Sequence, residues 1–360
     1  MVLFLAFPII LQNLIASSVN MLDTMKTLCC LSGASGNEDE VRDYILERVM
    51  PYVSEVITDS MGNLIVKKHG KIAGSQKIMI CAHMDEVGII ITGVDDDGYL
   101  RFDFLGGVDR RVVIGKRVYI GRDRVPGIIG LKAYHLVDKE EEKKVPKREE
   151  MYIDIGMKTR SEVNELISLG DAGVFDDSVF EFGDGFLKAK AIDDRVGCAA
   201  MIKLIESDLP CDCTFAFTVQ EEIGARGAKI VSNRIAPDIA IVLESTTAAD
   251  LPEVPEGKRI CRLGEGIVIP FMDKGAIYNR ELYKLLTDIA DKNNIKWQTK
   301  TMIAGGTDAQ VVQRSGSGVK TIAISAPLRN IHSPASVAKI SDFEVMPRLT
   351  TLLLEAISAE

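Results

Sequence analysis

The spacing of apolar residues along this chain follows two patterns. The first covers the N-terminal part, the second replaces it in the middle, and the first then returns. Residues 41–49 place apolar side chains at helical intervals after an acid-rich turn, which predicts an amphipathic helix. Residues 77–82 and 214–220 are nearly continuous apolar runs, as is typical of buried strands. Strands that alternate with helices predict an α/β fold with a mixed central sheet flanked by helices.

The second pattern covers residues 89–183, where short alternating segments are separated by Gly, Asp and Pro. It predicts a small β-barrel or sandwich that carries a charge-dense loop at 138–150. The α/β pattern then returns and ends with a helix near 340–359. We therefore expect one α/β domain, formed by residues 21–88 and 184–360, that is interrupted by a β-rich insert domain.

Residues 1–20 are strongly apolar but suit neither a signal peptide nor a membrane span. They lack a basic first segment, and Pro8 interrupts the apolar run. We expect an extension that lies outside the functional body. The alternatives are a short helix packed on the body or in a contact between subunits and, third, a signal sequence.

Composition narrows the class of partner. The net charge is -9 at pH 7 and no basic stripe is present, which argues against nucleic acid. The chain has 7 cysteines, an odd number, and several lie in apolar runs. This indicates reduced, buried thiols in a cytoplasmic protein, and we expect no membrane partner.

Side chains that commonly bind metals recur where predicted strands end. His83 and Asp85 lie on the same side of an extended segment, so Asp85 can fix the tautomer of the His83 ring. The same placement recurs at four further points along the chain: Asp193–Asp194, Glu221–Glu222, Glu244 and His332.

Open α/β sheets bind ligands at the carboxyl ends of their strands, so these side chains are expected to meet. Two histidines with three or four carboxylates form a mixed nitrogen and oxygen set suited to two zinc-like ions. Such a site needs a shared carboxylate, end ligands on each metal and an unligated base. One of Asp193 and Asp194 could be shared, and Glu221 and Glu222 could divide metal binding and water activation between them.

Ordinary structural roles are open to the same residues. A single histidine is more often structural than a ligand, and two aspartates before a helix suit its N-terminus. Glu244 suits a buried ion pair, and we interpret His69 and His135 as surface or structural residues. The joint arrangement favours the metal site.

Five motifs resemble, in order and spacing, the tetrahedral-shell dinuclear aminopeptidases of metallopeptidase family forty-two: AHMDEVG, AIDDRVG, QEEIGARGA, AGGTDA and RNIHSP. Members of that family have also been labelled glutamyl aminopeptidase, deblocking aminopeptidase or cellulase M. The resemblance covers the chain from about Met21 to its C-terminus, insert included. It implies a phosphorylase/hydrolase-like α/β core and two divalent ions per subunit, zinc or cobalt, with manganese as an alternative. It also implies peptide substrates with a free N-terminus and self-association into a homododecamer through the insert.

The resemblance further implies roles for matching metal ligands. His83 and Glu222 would be end ligands on opposite sides of the metal pair, and Asp193 would bridge it. His332 would complete the shell of the second metal. Where an aspartate is expected as a further end ligand, this chain has Glu244, which carries the same charge on a longer arm.

The remaining roles concern catalysis. Glu221 would be the general base, and Asp85 would orient His83. For the metal site, Asp250 is a fallback ligand in place of Glu244. The substrate cleft would be lined by Gly305, Gly306, Thr307 and Asp308.

The expected reaction is hydrolysis of an N-terminal peptide bond by a bridging water whose proton Glu221 takes. Three alternatives remain: a related two-metal amidase such as a deacylase or carboxypeptidase, a glycosidase, and a non-catalytic relative. Adjacent Glu221 and Glu222 do not flank a sugar bond convincingly, and a glycosidase leaves the histidines unexplained.

Overall fold

The computed structural model describes residues 20–73 and 76–359. The predicted extension at residues 1–20 lies outside the described residues, apart from Asn20. The helices are α1 (Met21–Cys30), α2 (Asp39–Val49), α3 (Arg160–Asn164), α4 (Ile192–Ile205), α5 (Arg226–Ile235), α6 (Arg280–Lys292), α7 (Ala309–Val312), α8 (Ile340–Phe343) and α9 (Met346–Ser358). The strands are β1 (Glu55–Thr58), β2 (Leu64–Lys68), β3 (Ile78–His83), β4 (Gly88–Val94), β5 (Leu100–Leu105), β6 (Arg117–Ile120), β7 (Val125–Gly130), β8 (Tyr152–Asp154), β9 (Ala172–Phe175), β10 (Phe180–Phe182), β11 (Phe186–Ala189), β12 (Cys213–Thr218), β13 (Ile239–Thr247), β14 (Ile267–Val268), β15 (Trp297–Gln298), β16 (Lys320–Arg329) and β17 (Ser336–Lys339).

A large mixed sheet forms the centre of the α/β part. Its path runs β1-β2-β12-β3-β13-β16-β17-β11-β10, and β14 joins it at β16 and pairs with β15. The inner strands β12, β3, β13 and β16 run parallel, whereas the strands that adjoin them on both sides are antiparallel. The predicted α/β fold with a mixed central sheet flanked by helices is therefore confirmed.

The inner strands are buried on both faces, which explains why their sequences are nearly continuous apolar runs. Every residue of β3 is buried, and α4 packs against β3 and β13. Each fully buried Leu, Ile, Val or Phe side chain contributes about 1.5–3 kcal/mol through its removal from water. This core fixes the positions of the strand ends, and His83 at the end of β3 needs polar partners at that depth.

The insert is a closed barrel with strand order β4-β5-β8-β7-β6-β9 and an apolar core of its own. The structure thus confirms a small barrel rather than a sandwich. The barrel strands span residues 88–175, whereas β10 pairs with β11 in the large sheet. The last residues of the segment predicted as the insert, 89–183, therefore belong to the large sheet. The barrel begins shortly after Asp85, so its entry lies beside the strand end that carries His83.

Two further observations concern membranes and thiols. Among the helices of the described ranges, none is long and apolar enough to cross a membrane.

All seven cysteines are free thiols, and every one except Cys30 is buried.

Candidate metal centre

The metal-site residues predicted from the sequence lie at the carboxyl edge of the inner parallel strands. His83 ends β3, Glu221 and Glu222 follow β12, and His332 lies in the loop after β16. Asp193 stands at the start of α4, where its backbone is not helical (φ -77°, ψ 109°). This is the edge at which open α/β sheets bind ligands.

The carboxylate of Asp193 lies between the two histidines. Its Oδ1 is 3.2 Å from Nε2 of His83, and its Oδ2 is 3.2 Å from Nε2 of His332. On one side, Oε1 of Glu244 is 3.6 Å from the His83 nitrogen, and on the other, Oε2 of Glu222 is 3.3 Å from the His332 nitrogen. The donors form two sets that share Asp193, which is the arrangement that a bridged pair of ions requires.

The donor chemistry fits divalent metal ions. Ligand atoms of His83, Asp193 and Glu222 lie within 4.8 Å of one another, as do those of His83, Asp194 and Glu244. Burial raises the pKa of Glu222 well above its usual range and that of Glu244 to about 7. A cluster of buried carboxylates is costly without positive partners, and imidazole with carboxylate suits zinc and related ions.

Asp194 serves the helix that follows it. Its Oδ1 accepts a hydrogen bond from the backbone N–H of Gly197 at 3.0 Å, and its Oδ2 accepts one from the backbone N–H of His83 at 3.3 Å. A Cβ at Gly197 would lie 2.5 Å from this carboxylate, so the position requires glycine. The aspartate pair therefore divides its tasks: Asp193 faces the histidines, and Asp194 ties the start of α4 to β3.

The ring of His83 is oriented by Asp85. Nδ1 of His83 lies 3.0 Å from the backbone carbonyl oxygen of Asp85 and 3.4 Å from its Oδ1. A proton on Nδ1 donated to this carbonyl leaves the Nε2 lone pair facing Asp193, as a metal ligand requires. Burial lowers the pKa of His83, but the carboxylates of Glu244, Asp193 and Asp85 outweigh it and raise that pKa well above its usual value.

The side chain of Asp85 also holds the segment that follows β12. Its Oδ1 accepts a hydrogen bond from the N–H of Glu221 at 2.9 Å, and its Oδ2 accepts bonds from the N–H of Glu222 at 3.1 Å and the hydroxyl of Ser35 at 2.6 Å. Burial raises the pKa of Asp85, but hydrogen bonds from His83, Ser35 and Glu221 outweigh it and lower that pKa. Asp85 is thus an ionised anchor between β3 and the two glutamates.

Glu221 has the environment of a proton acceptor. It is half-buried at the cleft, and burial raises the pKa of its carboxyl well above the usual range. The nearby carboxylates of Asp308, Glu244 and Asp193 raise it further. A carboxylate with a raised pKa binds a proton more strongly, and is thus a better general base, than an ordinary glutamate.

The predicted cleft residues lie at two depths. Gly305 and Gly306 are exposed, whereas Thr307 and Asp308 are buried. Oδ2 of Asp308 accepts a hydrogen bond from the hydroxyl of Thr218 at 2.6 Å, and Thr218 is the β12 neighbour of His83. Burial raises the pKa of Asp308 to about 6. The run therefore passes the metal-site edge with its glycines facing solvent.

Other residues considered from the sequence lie in ordinary structural contacts. Both carboxylate oxygens of Asp250 bind Arg329, at 2.8 and 2.6 Å, so this fallback ligand is already paired. The side chain of His69 is 72% exposed, and His135 is exposed as well.

Sequence reasoning missed a buried ionic cluster beside the site. Nζ of Lys190 donates to Oε1 of Glu86 at 2.6 Å, and Nη2 of Arg195 lies 3.2 Å from the same oxygen. Arg195 also donates to the carbonyl of Leu28, and Lys190 to that of Leu31, which ties the end of α1 to the site. The sequence signal was present, because Lys190 and Arg195 stand among apolar residues close to the aspartate pair.

Two other missed residues, Glu38 and Asn63, contact the segment that carries Glu221. Glu38 is 4% exposed and burial raises its pKa to about 7, while Asn63 is fully buried. Neither has a sequence signal, because acids at helix starts and asparagines in turns are common.

A mixed sheet with an inserted barrel thus carries, at its carboxyl edge, a histidine–carboxylate cluster that suits divalent metal ions. The chain matches the model of the M42 glutamyl aminopeptidase family over residues 62–349, and it belongs to that family. It is 39% identical over 340 residues to a putative aminopeptidase of Acetivibrio thermocellus, covering 94% of this chain and 98% of the relative.

Solved structures of aminopeptidases are also similar to this chain over most of its length. An aminopeptidase from the archaeon Desulfurococcus kamchatkensis matches with a TM-score of 0.88 and 36% identity, covering 93% of this chain and 94% of the other. The TET1 peptidase of Pyrococcus horikoshii, described as assembling into a tetrahedron or a large octahedral shell, matches with a TM-score of 0.82 and 33% identity, covering 94% and 99%. The predicted family and fold are confirmed, and the family supports an aminopeptidase activity.

Proposed function

We propose that this chain is a dinuclear metallo-aminopeptidase that removes N-terminal residues from peptides, with Glu221 as the general base. One observation carries the proposal. The two carboxylate oxygens of Asp193 each lie 3.2 Å from a different histidine, His83 and His332. A carboxylate that faces two imidazole nitrogens in this way suits a bridge between two ions.

Under this proposal, His83, Asp193 and Glu244 would hold one ion, and Asp193, Glu222 and His332 the other. Two divalent ions at these positions would supply Lewis acidity and lower the pKa of a bound water. We propose zinc or cobalt, with manganese as an alternative, because nitrogen and oxygen donors accommodate all three.

The residues of the chain perform the proton transfers. Glu221 accepts the proton of the attacking water and delivers it to the leaving amine. Asp85 holds the backbone of Glu221 and the ring of His83, so the base and one ligand share an anchor. A metal ion and nearby carboxylates would hold the free α-amino group of the substrate, which suits exopeptidase action on peptides with a free amine.

The substrate cleft and the assembly complete the proposal. We propose that Gly305, Gly306, Thr307 and Asp308 line the cleft, and that the chain self-associates through its barrel into a homododecamer. The shell described for the Pyrococcus horikoshii peptidase supports self-association. We also propose a cytoplasmic location, which suits seven free thiols.

The test is hydrolysis of a panel of amino-acid p-nitroanilides, with N-acetylated versions alongside. The enzyme is stripped by chelator and reloaded with zinc, cobalt or manganese. We expect that added metal restores cleavage of the substrates with a free amine and that the N-acetylated substrates are not cleaved. The rates across the panel then rank the N-terminal side chains by preference. Cleavage of the blocked substrates would favour a deacylase, and no cleavage with both sites filled would favour a non-catalytic relative.

A further inference from the structure

Four consecutive backbone N–H groups after β12 donate to side chains instead of to other backbone groups. The N–H of Val219 donates to Oδ1 of Asn63 at 3.0 Å, and the N–H of Gln220 to Oε1 of Glu38 at 3.1 Å. The next two N–H groups, of Glu221 and Glu222, donate to the carboxylate of Asp85. The 219–222 segment is therefore positioned by three buried side chains from three separate parts of the chain.

The backbone conformation of the 219–222 segment depends on the side chains that accept its hydrogen bonds. Gln220 has φ of +58°, a left-handed conformation that non-glycine residues adopt at a cost of about 1–2 kcal/mol. A buried N–H without an acceptor costs a further 1–3 kcal/mol or so. The acceptors thus determine where the backbone of residue 220 lies, and with it the direction in which Glu221 leaves the sheet edge.

The carboxylate of Glu38 contacts the 219–222 segment rather than the helix that Glu38 precedes. It occupies the residue before α2, yet its carboxylate makes no capping hydrogen bond to that helix. Its Oε1 instead accepts two hydrogen bonds, from the N–H of Gly36 at 2.8 Å and from that of Gln220. Asn63 differs, because its amide also donates to Asp59 within the turn between β1 and β2.

We propose that Glu38 is a positioning residue for Glu221, acting through the backbone of Gln220. The inference rests on the proposed function, in which Glu221 is the general base. A base displaced by a fraction of an ångström loses its alignment with the attacking water, so removal of the Glu38 acceptor affects turnover more than binding. Asp85 still accepts the N–H groups of both glutamates, and Glu222 lies one residue further than Glu221 from the displaced Gln220, so we expect metal content to stay unchanged.

The test compares two substitutions of similar size at position 38 in the metal-loaded, full-length enzyme. Glu38→Met fills the volume without an acceptor, whereas Glu38→Gln keeps the single carbonyl oxygen that both N–H groups use. Glu47→Met, at an exposed position of α2, the helix that Glu38 precedes, is the matched control. If Glu38→Met does not fold, Glu38→Ala takes its place. We measure kcat and KM on p-nitroanilides and metal content by elemental analysis.

Glu38→Met should lower kcat about 10- to 100-fold with KM and metal content unchanged. Glu38→Gln and Glu47→Met should stay within about threefold of the parent. Three results would each overturn the proposal: full kcat in Glu38→Met, an equal loss in Glu38→Gln, or a loss explained by missing metal.

A double variant shows whether Glu38 acts through the base. In a Glu221→Gln background, Glu38→Met should cause no further loss of turnover, because the group that it positions is already gone. A further loss would assign Glu38 another role and overturn the proposal. Failure of the proposed function looks different, since Glu221→Gln alone would then turn over at the parent rate.

Discussion

Nε2 of His83 and Oε1 of Glu244 lie 3.6 Å apart, across two neighbouring parallel strands. The backbone pairing of β3 with β13 ends at Cys81 and Val242, so both side chains stand just beyond the last paired residues. Continued two residues further, the same register would place His83 opposite Glu244. Glu244 thus reaches the donor set although it occupies the position where the family resemblance implies the shorter residue.

The charge of Glu244 should matter more than its length. Glu244→Gln keeps the arm but removes the anionic oxygen, so we expect the metal affinity of the His83 set to fall on the order of 10- to 100-fold. Glu244→Asp keeps the charge and should retain more affinity than the glutamine variant. Competition with a chelator indicator measures both. Parent affinity in Glu244→Gln would remove this residue from the ligand set.

Glu221→Gln should lower kcat about 10²- to 10⁴-fold, to a residual rate that is still measurable, and keep both metals, because it removes the proton acceptor without touching a ligand. The adjacent Glu222→Gln is a matched control with the same change of charge, and it should lose metal as well as activity. Turnover by both variants and metal content by elemental analysis separate the two roles. A Glu221→Gln enzyme with normal kcat would end the assignment of the base.

Asp193→Ala should empty at least one metal position, since both donor sets share this carboxylate. Asp194→Ala is the contrast: Asp194 lies near His83 and Glu244, but its oxygens accept the N–H groups of Gly197 and His83, so its loss should lower stability by about 1 kcal/mol and retain metal. Elemental analysis and thermal unfolding of the two variants test the contrast. Full metal content in Asp193→Ala would show that Asp193 does not bridge.

Much of this architecture could be predicted from the sequence, for a physical reason. Strands buried on both faces must be almost wholly apolar, so polar residues such as His83 and Asp193 stand out where the apolar runs stop. The strand edge then brings them together, because parallel neighbours end on the same side.

The remaining features could not be predicted, because they depend on contacts distant in sequence. The predicted strand end at Glu244 is wrong: β13 continues to Thr247, because pairing with β16 satisfies the backbone of Ser245 and Thr246. Glu38 contacts a segment more than 180 residues away, and no local pattern reports such a contact.

Deletion of residues 1–19 should leave activity intact, because the predicted extension does not supply any of the donors at the site. Asn20 is a separate case: its side chain accepts a hydrogen bond from the N–H of Leu22 at 2.7 Å and caps α1. Removal of Asn20 as well should therefore lower stability by about 1 kcal/mol. Thermal unfolding and p-nitroanilide turnover compare the two truncations. An insoluble or inactive product from the shorter deletion would place the extension within the fold or the assembly.

Metal affinity should fall as the pH drops below about 7, because metals bind the deprotonated ligands. Burial raises the pKa of Glu244 to about 7 and that of Glu222 well above its usual range, while carboxylates raise that of His83. Binding must therefore displace protons from the metal-free site. Calorimetry in buffers of different ionisation enthalpy measures the number released, and a value of zero near pH 6 would contradict the expectation.

The same raised pKa values give the metal-free protein a defined dependence of stability on pH. The folded state binds the Glu244 proton more tightly than the unfolded chain does, whose glutamate has the ordinary value of 4.5. This contribution to stability is full below pH 4.5 or so and is lost as the pH rises through about 7. Bound metal replaces the lost protons, so the Tm difference between metal-loaded and metal-free protein should grow from about pH 5 to about pH 8. Glu244→Gln, which cannot titrate, should show a smaller increase, and a Tm difference that stays constant in the parent protein would contradict the link between these carboxylates and the metal.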